Sequence, residues 1–379
     1  MGYKITLQKN QLGFLKNYKK VNDKEFGKYL ILNLSKESSG KYMAFELTTT
    51  EVDVVTKLPN ETLELTDCTE KSLTFRLSDF HSFIDLVTDE EIILEDNIFK
   101  TKNGSYPICE LSNEVSRQTI VSLINKDFTQ IKLTQLEKLK VLKSYIGSEE
   151  EKMDAILYQN DNYSAYGGAY FCTVIGSGTQ SDPVYLSPRM VDVLDSMDIE
   201  SVTINLQKEQ NVIVIKHEET IYFFKINKKY RVPDLVSETL KPKWCHQYKV
   251  QIKLDDFTNI LNKFKVLSDE ESIKLLYKFT LVNNTMRIET MNSVSGQAFE
   301  SINAEYSTEL EGIDIPLSVG HTLTALKAFA PNSVENVTLF LKPDNPEVSP
   351  SWVSSFGLQG DDDESLFVIL PTLSKKTEE

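Results

Sequence analysis

The residues of this chain that could do chemistry are few and scattered. The run Asp361–Glu364 supplies four carboxylates, but it follows Gly360 without the interleaved turn residues of a cation-binding loop, which favours a solvated loop. The histidines stand in different predicted elements and are not spaced like a metal site or a catalytic pair. They are His81, His217, His246 and His321. We therefore expect no catalytic residue, no metal and no cofactor.

Glycines and cysteines also lack the partners that their known chemistries require. Gly167-Gly168 and Gly176–Gly178 are not followed by the Lys-Ser/Thr pair of a phosphate-binding loop. The four cysteines are far apart, with no CxxC spacing, which is typical of reduced thiols in a cytoplasmic protein. An enzyme whose site follows no recognisable sequence pattern stays open as an alternative.

The charged pattern that does repeat is lysine on three predicted helices. The chain carries a net charge of −15, which argues against binding nucleic acid over its whole surface. Three predicted helices nevertheless carry lysines on their polar sides: Leu7–Val21, Leu133–Gly147 and Leu254–Leu267. The first two have more lysines than acidic residues, and the third has its two aspartates in the first turn, where they suit the helix dipole. For one helix, ordinary exposed lysine explains the pattern equally well. Its threefold repetition in an acidic chain favours a local basic surface.

These three segments, here called the first-type helices, each have an apolar face that should pack on a sheet. They begin 126 and 121 residues apart, as expected for a repeated domain. The apolar faces are formed by Phe14, Leu15, Tyr18 and Val21, by Leu136, Leu139, Leu142 and Ile146, and by Phe257, Ile260, Leu261 and Phe264.

A second kind of segment also occurs three times, at Leu77–Leu94, Leu186–Leu206 and Leu317–Leu341. Each copy begins with Leu-Ser and continues as an amphipathic helix, a polar break and a strand. We call these the second-type helices. The serine should cap each helix through its hydroxyl.

The two repeats together predict an α+β protein of three tandem domains, each with two helices packed on antiparallel sheets. Connections between the predicted strands are too short for parallel crossovers. The predicted domains are 1–120, 121–245 and 246–379, the last with a short C-terminal tail. No apolar run reaches the roughly 20 residues that cross a bilayer, and no signal sequence is evident. We therefore expect no membrane contact and a cytoplasmic location.

Three tandem domains with paired helices resemble the bacterial DNA polymerase III beta sliding clamp family. The resemblance covers nearly the whole chain and is best at Arg231-Val232-Pro233-Asp234 and at the ending Phe367–Leu373. Val232 replaces the family's usual aromatic residue, and the tail Ser374–Glu379 extends past its usual end. These departures indicate a divergent member, encoded by a host or by a phage.

The resemblance implies a DNA sliding clamp, which is a replication processivity factor and not an enzyme. In that family two chains form a head-to-tail homodimeric ring of six domains, with helices lining the hole and strands forming the outer sheet. The ring encircles double-stranded DNA without reading its sequence, is placed there by a clamp loader and tethers a DNA polymerase. A clamp-fold scaffold that recruits partners without encircling DNA is the alternative from another class.

The resemblance also implies three sets of site residues. The DNA-facing set is Lys16, Lys19, Lys20, Lys24, Lys138, Lys140, Lys143, Lys152, Lys263 and Lys265. The partner-peptide groove is lined by Met153, Tyr170, Phe171, Pro242, Val368, Leu370, Pro371 and Leu373. The dimer interface joins Tyr106 and Ile108 of one chain to Val266 and Leu267 of the other. Tyr170 and Phe171 replace basic and small residues of the family, so the accepted peptide should differ. Plain core packing is the alternative for each apolar residue.

Overall fold

The computed structural model describes most of the chain in fifteen segments. They are residues 2–21, 28–66, 68–108, 129–147, 154–167, 170–174, 183–207, 212–226, 248–266, 276–290, 298–312, 314–329, 334–343, 353–361 and 366–371. The chain forms two compact units, Met1–Glu137 with Arg189–Lys229 (unit 1) and Lys138–Pro188 with Tyr230–Glu379 (unit 2). Among the described helices none has the length and apolar character needed to cross a membrane.

The described residues contain six α-helices and three short 3₁₀ turns. The helices are α1 Leu15–Val21, α2 Leu77–Leu86, α3 Leu139–Lys143, α4 Pro188–Ser196, α5 Leu254–Val266 and α6 Val319–Leu326. The 3₁₀ turns are Lys9–Leu12, Leu136–Lys138 and Thr308–Leu310.

Among the described residues, each repeat has one strand before its first-type helix, five, four and four strands between its two helices, and three strands after its second-type helix. In the first repeat they are β1 Tyr3–Gln8, β2 Tyr29–Glu37, β3 Gly40–Thr48, β4 Val52–Pro59, β5 Glu64–Leu65, β6 Glu70–Arg76, β7 Glu91–Glu95, β8 Ile98–Thr101 and β9 Gly104–Pro107. In the second they are β10 Thr129–Leu133, β11 Ile156–Gln159, β12 Asn162–Gly167, β13 Tyr170–Val174, β14 Val184–Leu186, β15 Val202–Gln207, β16 Val212–His217 and β17 Thr220–Lys225. In the third they are β18 Lys249–Lys253, β19 Leu276–Val282, β20 Thr285–Thr290, β21 Phe299–Tyr306, β22 Asp314–Ser318, β23 Asn336–Pro343, β24 Val353–Gly360 and β25 Leu366–Pro371.

Unit 1 contains a five-stranded sheet, β5-β1-β7-β8-β9, and an eight-stranded sheet, β10-β15-β16-β17-β4-β3-β2-β6. The eight-stranded sheet joins two repeats because β17 of the second pairs antiparallel with β4 of the first. The pairing runs from Thr220 opposite Thr56 to Phe224 opposite Val52. Backbone hydrogen bonding therefore continues without a break from one repeat to the next.

Unit 2 contains one sheet of twelve strands, β14-β11-β12-β13-β25-β24-β23-β18-β21-β20-β19-β22. Here β25 of the third repeat pairs antiparallel with β13 of the second, with Val368 opposite Cys172. All strand pairs between described residues are antiparallel, which confirms the predicted α+β class.

The apolar faces predicted for the first-type helices are confirmed as core. Leu15, Tyr18 and Val21 of α1 are buried, as are Phe257 and Phe264 of α5. Beneath α1 and α2 in unit 1, the Phe45 ring lies 5.1 Å from that of Phe14 and 6.0 Å from that of Phe80, measured between centroids. Tilted and edge-on contacts between aromatic rings thus hold α2 and the residue before α1 against one sheet face.

Two helices are shorter in the structure than the sequence predicts. The segment Leu7–Val21 begins as strand β1, because Thr6 to Gln8 pair with β7, and passes through a 3₁₀ turn before α1 starts at Leu15. The segment Leu133–Gly147 forms a 3₁₀ turn and then a helix of only five residues, Leu139–Lys143. Amphipathic spacing is satisfied by these shorter helices, so the spacing alone could not give their ends.

The capping prediction is confirmed for one serine and wrong for another. At α6 the Ser318 side chain accepts a hydrogen bond from the backbone N–H of His321 at 3.3 Å. At α2 the helix starts at Leu77, two residues earlier than a Ser78 cap would place it, with Arg76 as the N-cap. Ser78 therefore lies inside the first turn and its hydroxyl donates to Asp79 at 2.9 Å.

This difference gives a paired stability test. Ser318→Ala removes a capping acceptor and should lower the free energy of unfolding by about 1 kcal/mol. Ser78→Ala removes no cap and puts a strong helix former in the first turn, so the unfolding free energy should stay within about 0.5 kcal/mol of the parent. Urea unfolding followed by circular dichroism measures both. Equal losses for the two variants would contradict the assignment of the caps.

Candidate nucleic-acid interface and docking surfaces

The first candidate surface is the polar side of α1 in unit 1. Leu15, Tyr18 and Val21 point into the core, which leaves the side chains of Lys16, Lys19 and Lys20 exposed. No acidic residue occurs in α1. A seven-residue helix thus presents three lysines to solvent.

The Tyr18 hydroxyl fixes α1 at the boundary between two repeats. It lies 2.8 Å from the Phe45 carbonyl oxygen and 3.0 Å from Thr56 Oγ1, and Thr56 Oγ1 lies 2.8 Å from Thr220 Oγ1. Burial raises the pKa of Tyr18, so its hydroxyl keeps the proton that it donates. Because Thr56 is on β4 and Thr220 on β17, α1 is bonded to the strand pair that joins the repeats.

A second-type helix, α4, is bonded to the end of α1. Arg189 Nη1 donates to the Val21 carbonyl oxygen at 2.6 Å, and its Nε lies 3.7 Å from the Glu51 carboxylate. Lysine at the carboxyl end of α1 and this arginine both complement the helix dipole.

An ion pair also spans the β4–β17 boundary. Lys225 Nζ lies 2.8 Å from Asp53 Oδ1, which is nearly fully buried. Burial raises the pKa of Asp53, and the neighbouring Lys225 opposes that rise. The boundary inside unit 1 is therefore held by backbone pairing and by polar side chains together.

Helices α2 and α4 have acidic polar sides, in contrast to α1. Asp79 and Asp85 are exposed on α2, and Asp192 and Asp195 are exposed on α4. His81 of α2 is buried, and its Nδ1 lies 2.8 Å from the Asp85 carboxylate. Burial lowers the pKa of His81. The negative charge of Asp85 opposes this lowering, and the positive charges of Lys19 and Lys16 on α1 add to it. His81 is therefore mainly neutral near pH 7 and adds no charge to the basic surface.

In unit 2 the lysines differ in their surroundings. Lys140 on α3 and Lys265 on α5 are exposed, whereas Lys138 and Lys143 are half-buried. Lys263 forms an ion pair with Glu300 of β21, with Nζ 2.7 Å from Oε1. Lys24 and Lys152 lie outside the described residues.

The end of α3 is bonded to α6, as the end of α1 is to α4. The Tyr145 hydroxyl lies 2.9 Å from the Thr324 carbonyl oxygen and 3.1 Å from that of Ala325. The same loop crosses β12 so closely that a Cβ at Gly167 would lie 2.7 Å from the Tyr145 carbonyl oxygen. In both units, therefore, a first-type helix ends in hydrogen-bond contact with a second-type helix of the next repeat.

The predicted groove residues belong to two adjacent strands of unit 2. Tyr170 and Phe171 are in β13, and Leu370 and Pro371 are in β25, which pairs with it. Val368 is fully buried, opposite the buried Cys172, whose pKa is raised by burial. Met153, Pro242 and Leu373 lie outside the described residues.

The predicted interface residues lie at two strand edges. Tyr106 of β9 is 46% exposed and packs on Phe83 of α2, with ring centroids 5.4 Å apart; Ile108, just past β9, is half-buried. Val266, the last residue of α5, is 84% exposed, and Leu267 lies outside the described residues. Within the described part of the chain, β9 pairs only with β8 and Phe299–Asn303 of β21 pair only with β20.

Two exposed apolar residues near these edges were missed by the sequence analysis. Leu86 ends α2 and is 82% exposed, and Phe299 begins β21 and is 65% exposed. A cavity of about 710 Å³ lies between α5 and β21, lined by Ile260, Lys263, Val266 and Glu300 among others. Helical spacing sets Leu86 opposite the buried residues Phe80 and Ile84 of α2, and the sequence analysis did not use this signal.

Solved structures of one fold match this chain over nearly its full length. A putative DNA polymerase III beta subunit from Eubacterium rectale superposes with a TM-score of 0.75 at 14% identity, covering 99% of this chain and 100% of that one. A DNA polymerase sliding clamp from Pseudomonas aeruginosa, solved with ligand, gives 0.75 at 15% identity, with coverage of 98% and 100%. The DNA polymerase III beta subunit of Thermotoga maritima gives 0.73 at 13% identity, with coverage of 98% and 99%.

These matches define the class: the chain has the sliding-clamp fold, which is built of three domains. Its structural neighbours within that class are DNA polymerase III beta subunits, so the resemblance stated from the sequence is confirmed at the level of fold. No protein-family model and no curated protein matches the sequence. Among the described residues, no three His, Cys, Asp or Glu side chains group closely enough to hold a metal ion.

The anchoring of α1 can be tested with two tyrosines. Tyr18→Phe removes the buried hydroxyl that contacts the Phe45 carbonyl and leaves Thr56 with Thr220 alone, so the free energy of unfolding should fall by about 1–3 kcal/mol. Tyr42→Phe removes only a 3.3 Å contact to the Ser39 carbonyl at the surface and should change it by less than about 0.5 kcal/mol. Chemical denaturation measures the difference, and equal effects would show that Tyr18 does not hold α1.

Proposed function

We propose that this chain is a DNA sliding clamp that forms a head-to-tail homodimeric ring, encircles duplex DNA and tethers a DNA polymerase. The observation that carries the proposal is a rule of strand pairing. The third strand after a first-type helix pairs with the third strand after the second-type helix of the next repeat, as β4 does with β17 and β13 with β25. By the same rule, β21 of the third repeat should pair with β9 of a first repeat.

Two copies satisfy that rule in a closed ring. If β21 of each chain pairs with β9 of the other chain, the two chains close into a ring. All six repeats of that ring are then joined by the same kind of strand pairing. Such a contact joins different surfaces of the two chains and closes by rotation, which is an allowed symmetry for a ring. Tyr106, Ile108, Val266 and Leu267 would lie at this contact. The domain boundaries near 120 and 245 fall outside the described residues and stay part of the proposal.

The proposed DNA contacts come from the first-type helices. Lysine is a mobile, hydrated point charge that meets phosphates without a fixed geometry, and phosphate contacts carry no sequence information. The exposed lysines of α1 are proposed first for this role, and Lys140, Lys263 and Lys265 of unit 2 are also exposed. Lys263 forms an ion pair with Glu300. The acidic sides of α2 and α4 keep the total attraction weak, so encirclement, and not affinity, would hold the DNA.

Polymerase tethering is proposed for the groove beside the β13–β25 pair. Tyr170 and Phe171 begin β13, and Phe171 pairs with Ile369, so the start of β13 lies beside the end of β25 at Leu370 and Pro371. A short apolar peptide could contact both strand ends. A clamp loader would open and close the ring on DNA in the cytoplasm. The protein would catalyse no reaction, because its role requires only a closed shape and weak contacts.

Encirclement predicts a dependence on DNA topology. The loaded protein should remain on a closed circular duplex and leave when one cut linearises it, while binding to short linear duplex should be weak near physiological salt. Gel filtration of loaded DNA before and after cutting measures this. Equal loss from circular and cut DNA would contradict encirclement and favour the clamp-fold scaffold.

The basic surface can be tested in the same assay. Changing Lys16, Lys19 and Lys20 to glutamate should reduce loading at least about tenfold, because each contact neutralises one phosphate. The control changes three exposed lysines of the same unit that lie outside its helices, Lys36, Lys102 and Lys216, to glutamate, which alters the net charge equally. Similar losses for both triples would show that total charge matters and α1 does not.

The groove proposal predicts that the C-terminal residues bind polymerase peptide. Truncation after Pro371 keeps every strand pairing of β25 but removes Leu373, and it should weaken binding of a polymerase tail peptide at least about tenfold. Truncation after Leu373 removes only the charged tail and should leave affinity unchanged. Fluorescence anisotropy measures both. Unchanged binding after the shorter truncation would place the groove elsewhere.

A further inference from the structure

We propose that a cavity at the end of α4 binds a lysine side chain from a partner protein. The cavity has a volume of about 760 Å³ and belongs to unit 1, where it lies between the turn after β10 and the segment that connects α4 to β15. This site is separate from the proposed ring contact, the basic surface of α1 and the polymerase groove, so its test does not depend on them.

The three repeats can be compared at this place, because each has an equivalent residue there. Lys9, Gln135 and Leu254 each lie two residues after the last buried residue of their strands, which are β1, β10 and β18. Those strands pair antiparallel with β7, β15 and β23, each of which follows a second-type helix. The three residues therefore face the same connection in each repeat.

In the first and third repeats the chain itself closes this place. The backbone N–H of Lys9 donates to the Glu90 carbonyl at 2.8 Å, and that of Leu254 donates to the Glu335 carbonyl at 3.0 Å. The Lys9 ammonium also donates to the carbonyl oxygen of Val87, the C-cap of α2. In the first repeat a lysine thus lies at the end of the second-type helix, where the helix dipole favours a positive charge.

The second repeat leaves the same place open. Gln135 has a φ of 53°, in the left-handed region, and within the described structure its backbone N–H makes no hydrogen bond to the carbonyl of Glu200, the counterpart of Glu90. Its side-chain oxygen is buried and has no donor among the described residues. The residue that replaces Lys9 is therefore shorter and uncharged, makes neither of the two bonds, and lines the cavity instead.

The lining of the cavity has acidic and apolar parts. Buried Leu136 and Leu194 supply the apolar part. The charged part consists of four exposed carboxylates and one exposed ammonium group, from Glu137, Asp195, Asp198, Glu200 and Lys132. Carboxylates attract an ammonium group, and apolar side chains suit the carbon chain that carries it. A lysine side chain, which is the group that lies at this place in the first repeat, fits both parts.

Charge and size indicate where that lysine comes from. The phosphates of a nucleic acid would be repelled, because acidic residues outnumber basic ones in the lining. A volume of about 760 Å³ lies within the range of about 300–1,000 Å³ that is typical of ligand pockets, so the cavity has room for more than one side chain. The occupant is therefore a lysine with its neighbouring residues, on a short segment of another protein.

A peptide-binding experiment tests the site. The probe is a short fluorescent peptide with one lysine between two leucines in a glycine–serine background, and its partner peptide has glutamine in place of the lysine. At low ionic strength the parent protein should bind the lysine peptide at least about tenfold more tightly, because only the ammonium group pairs with the carboxylates. Changing Asp198→Asn and Glu200→Gln together should remove most of that preference. Asparagine tolerates the left-handed backbone at position 198, so the fold should be kept, as circular dichroism would show. Fluorescence anisotropy measures the binding.

The matched control changes Glu64→Gln and Glu70→Gln, which removes two exposed carboxylates elsewhere in unit 1 and alters the net charge equally. It should bind the lysine peptide as the parent does. Equal losses in the two double variants, or equal binding of the two peptides by the parent, would overturn the site. Displacement of the peptide by free spermidine at an equal or lower concentration would assign the cavity to a polyamine and overturn the partner protein as its occupant.

Discussion

The structure depends on the requirement that the exposed edge of a β-sheet be paired. Each repeat would end in unpaired N–H and C=O groups if it stood alone, and such groups invite pairing with another strand. The chain meets this requirement twice by joining consecutive repeats, at β4–β17 and at β13–β25. The helices follow the strands: Tyr18 reaches Thr56 at one boundary, and Tyr145 reaches α6 at the other. Strand pairing therefore fixes the orientation of these helices, and the orientation of α1 in turn sets where its lysines lie.

The described helices differ in the charge of their exposed sides. The basic side of α1 belongs to the same compact unit as the acidic sides of α2 and α4, and one lysine of α5 is paired with Glu300. Salt screens exposed charges over about 8 Å at physiological ionic strength, so in the proposed clamp only lysines close to the duplex would attract it. In the proposed clamp this arrangement lets the protein move along DNA, since a strongly basic surface would hold it in place.

The sequence predicts local features well and distant ones poorly. Amphipathic spacing identifies the buried residues of α1 and α5, and the repeat of Leu-Ser segments identifies the second-type helices. Amphipathic spacing cannot give the start of α1, because Thr6 and Leu7 are compatible with a helix although they belong to the strand that pairs with β7. The hydrogen bond between Thr56 and Thr220 joins residues 164 positions apart, and nothing in either neighbourhood indicates the other. The pairing of Lys263 with Glu300 is likewise set by packing between elements.

The division of the second repeat between the two compact units also affects how the chain is made. Unit 1 needs Arg189–Lys229 and unit 2 needs Lys138–Pro188, so neither is continuous in sequence. During synthesis, β4 can pair with β3 at once, but its other edge stays open until β17 has left the ribosome. The outer edge of β13 likewise stays open for nearly two hundred residues until β25 is made. Pairing over such separations is slow, and an open strand edge is prone to aggregation while it waits. The nascent chain should therefore depend on chaperones until its last strand, β25, emerges. The pairing of β25 is then the step that completes the sheet of unit 2.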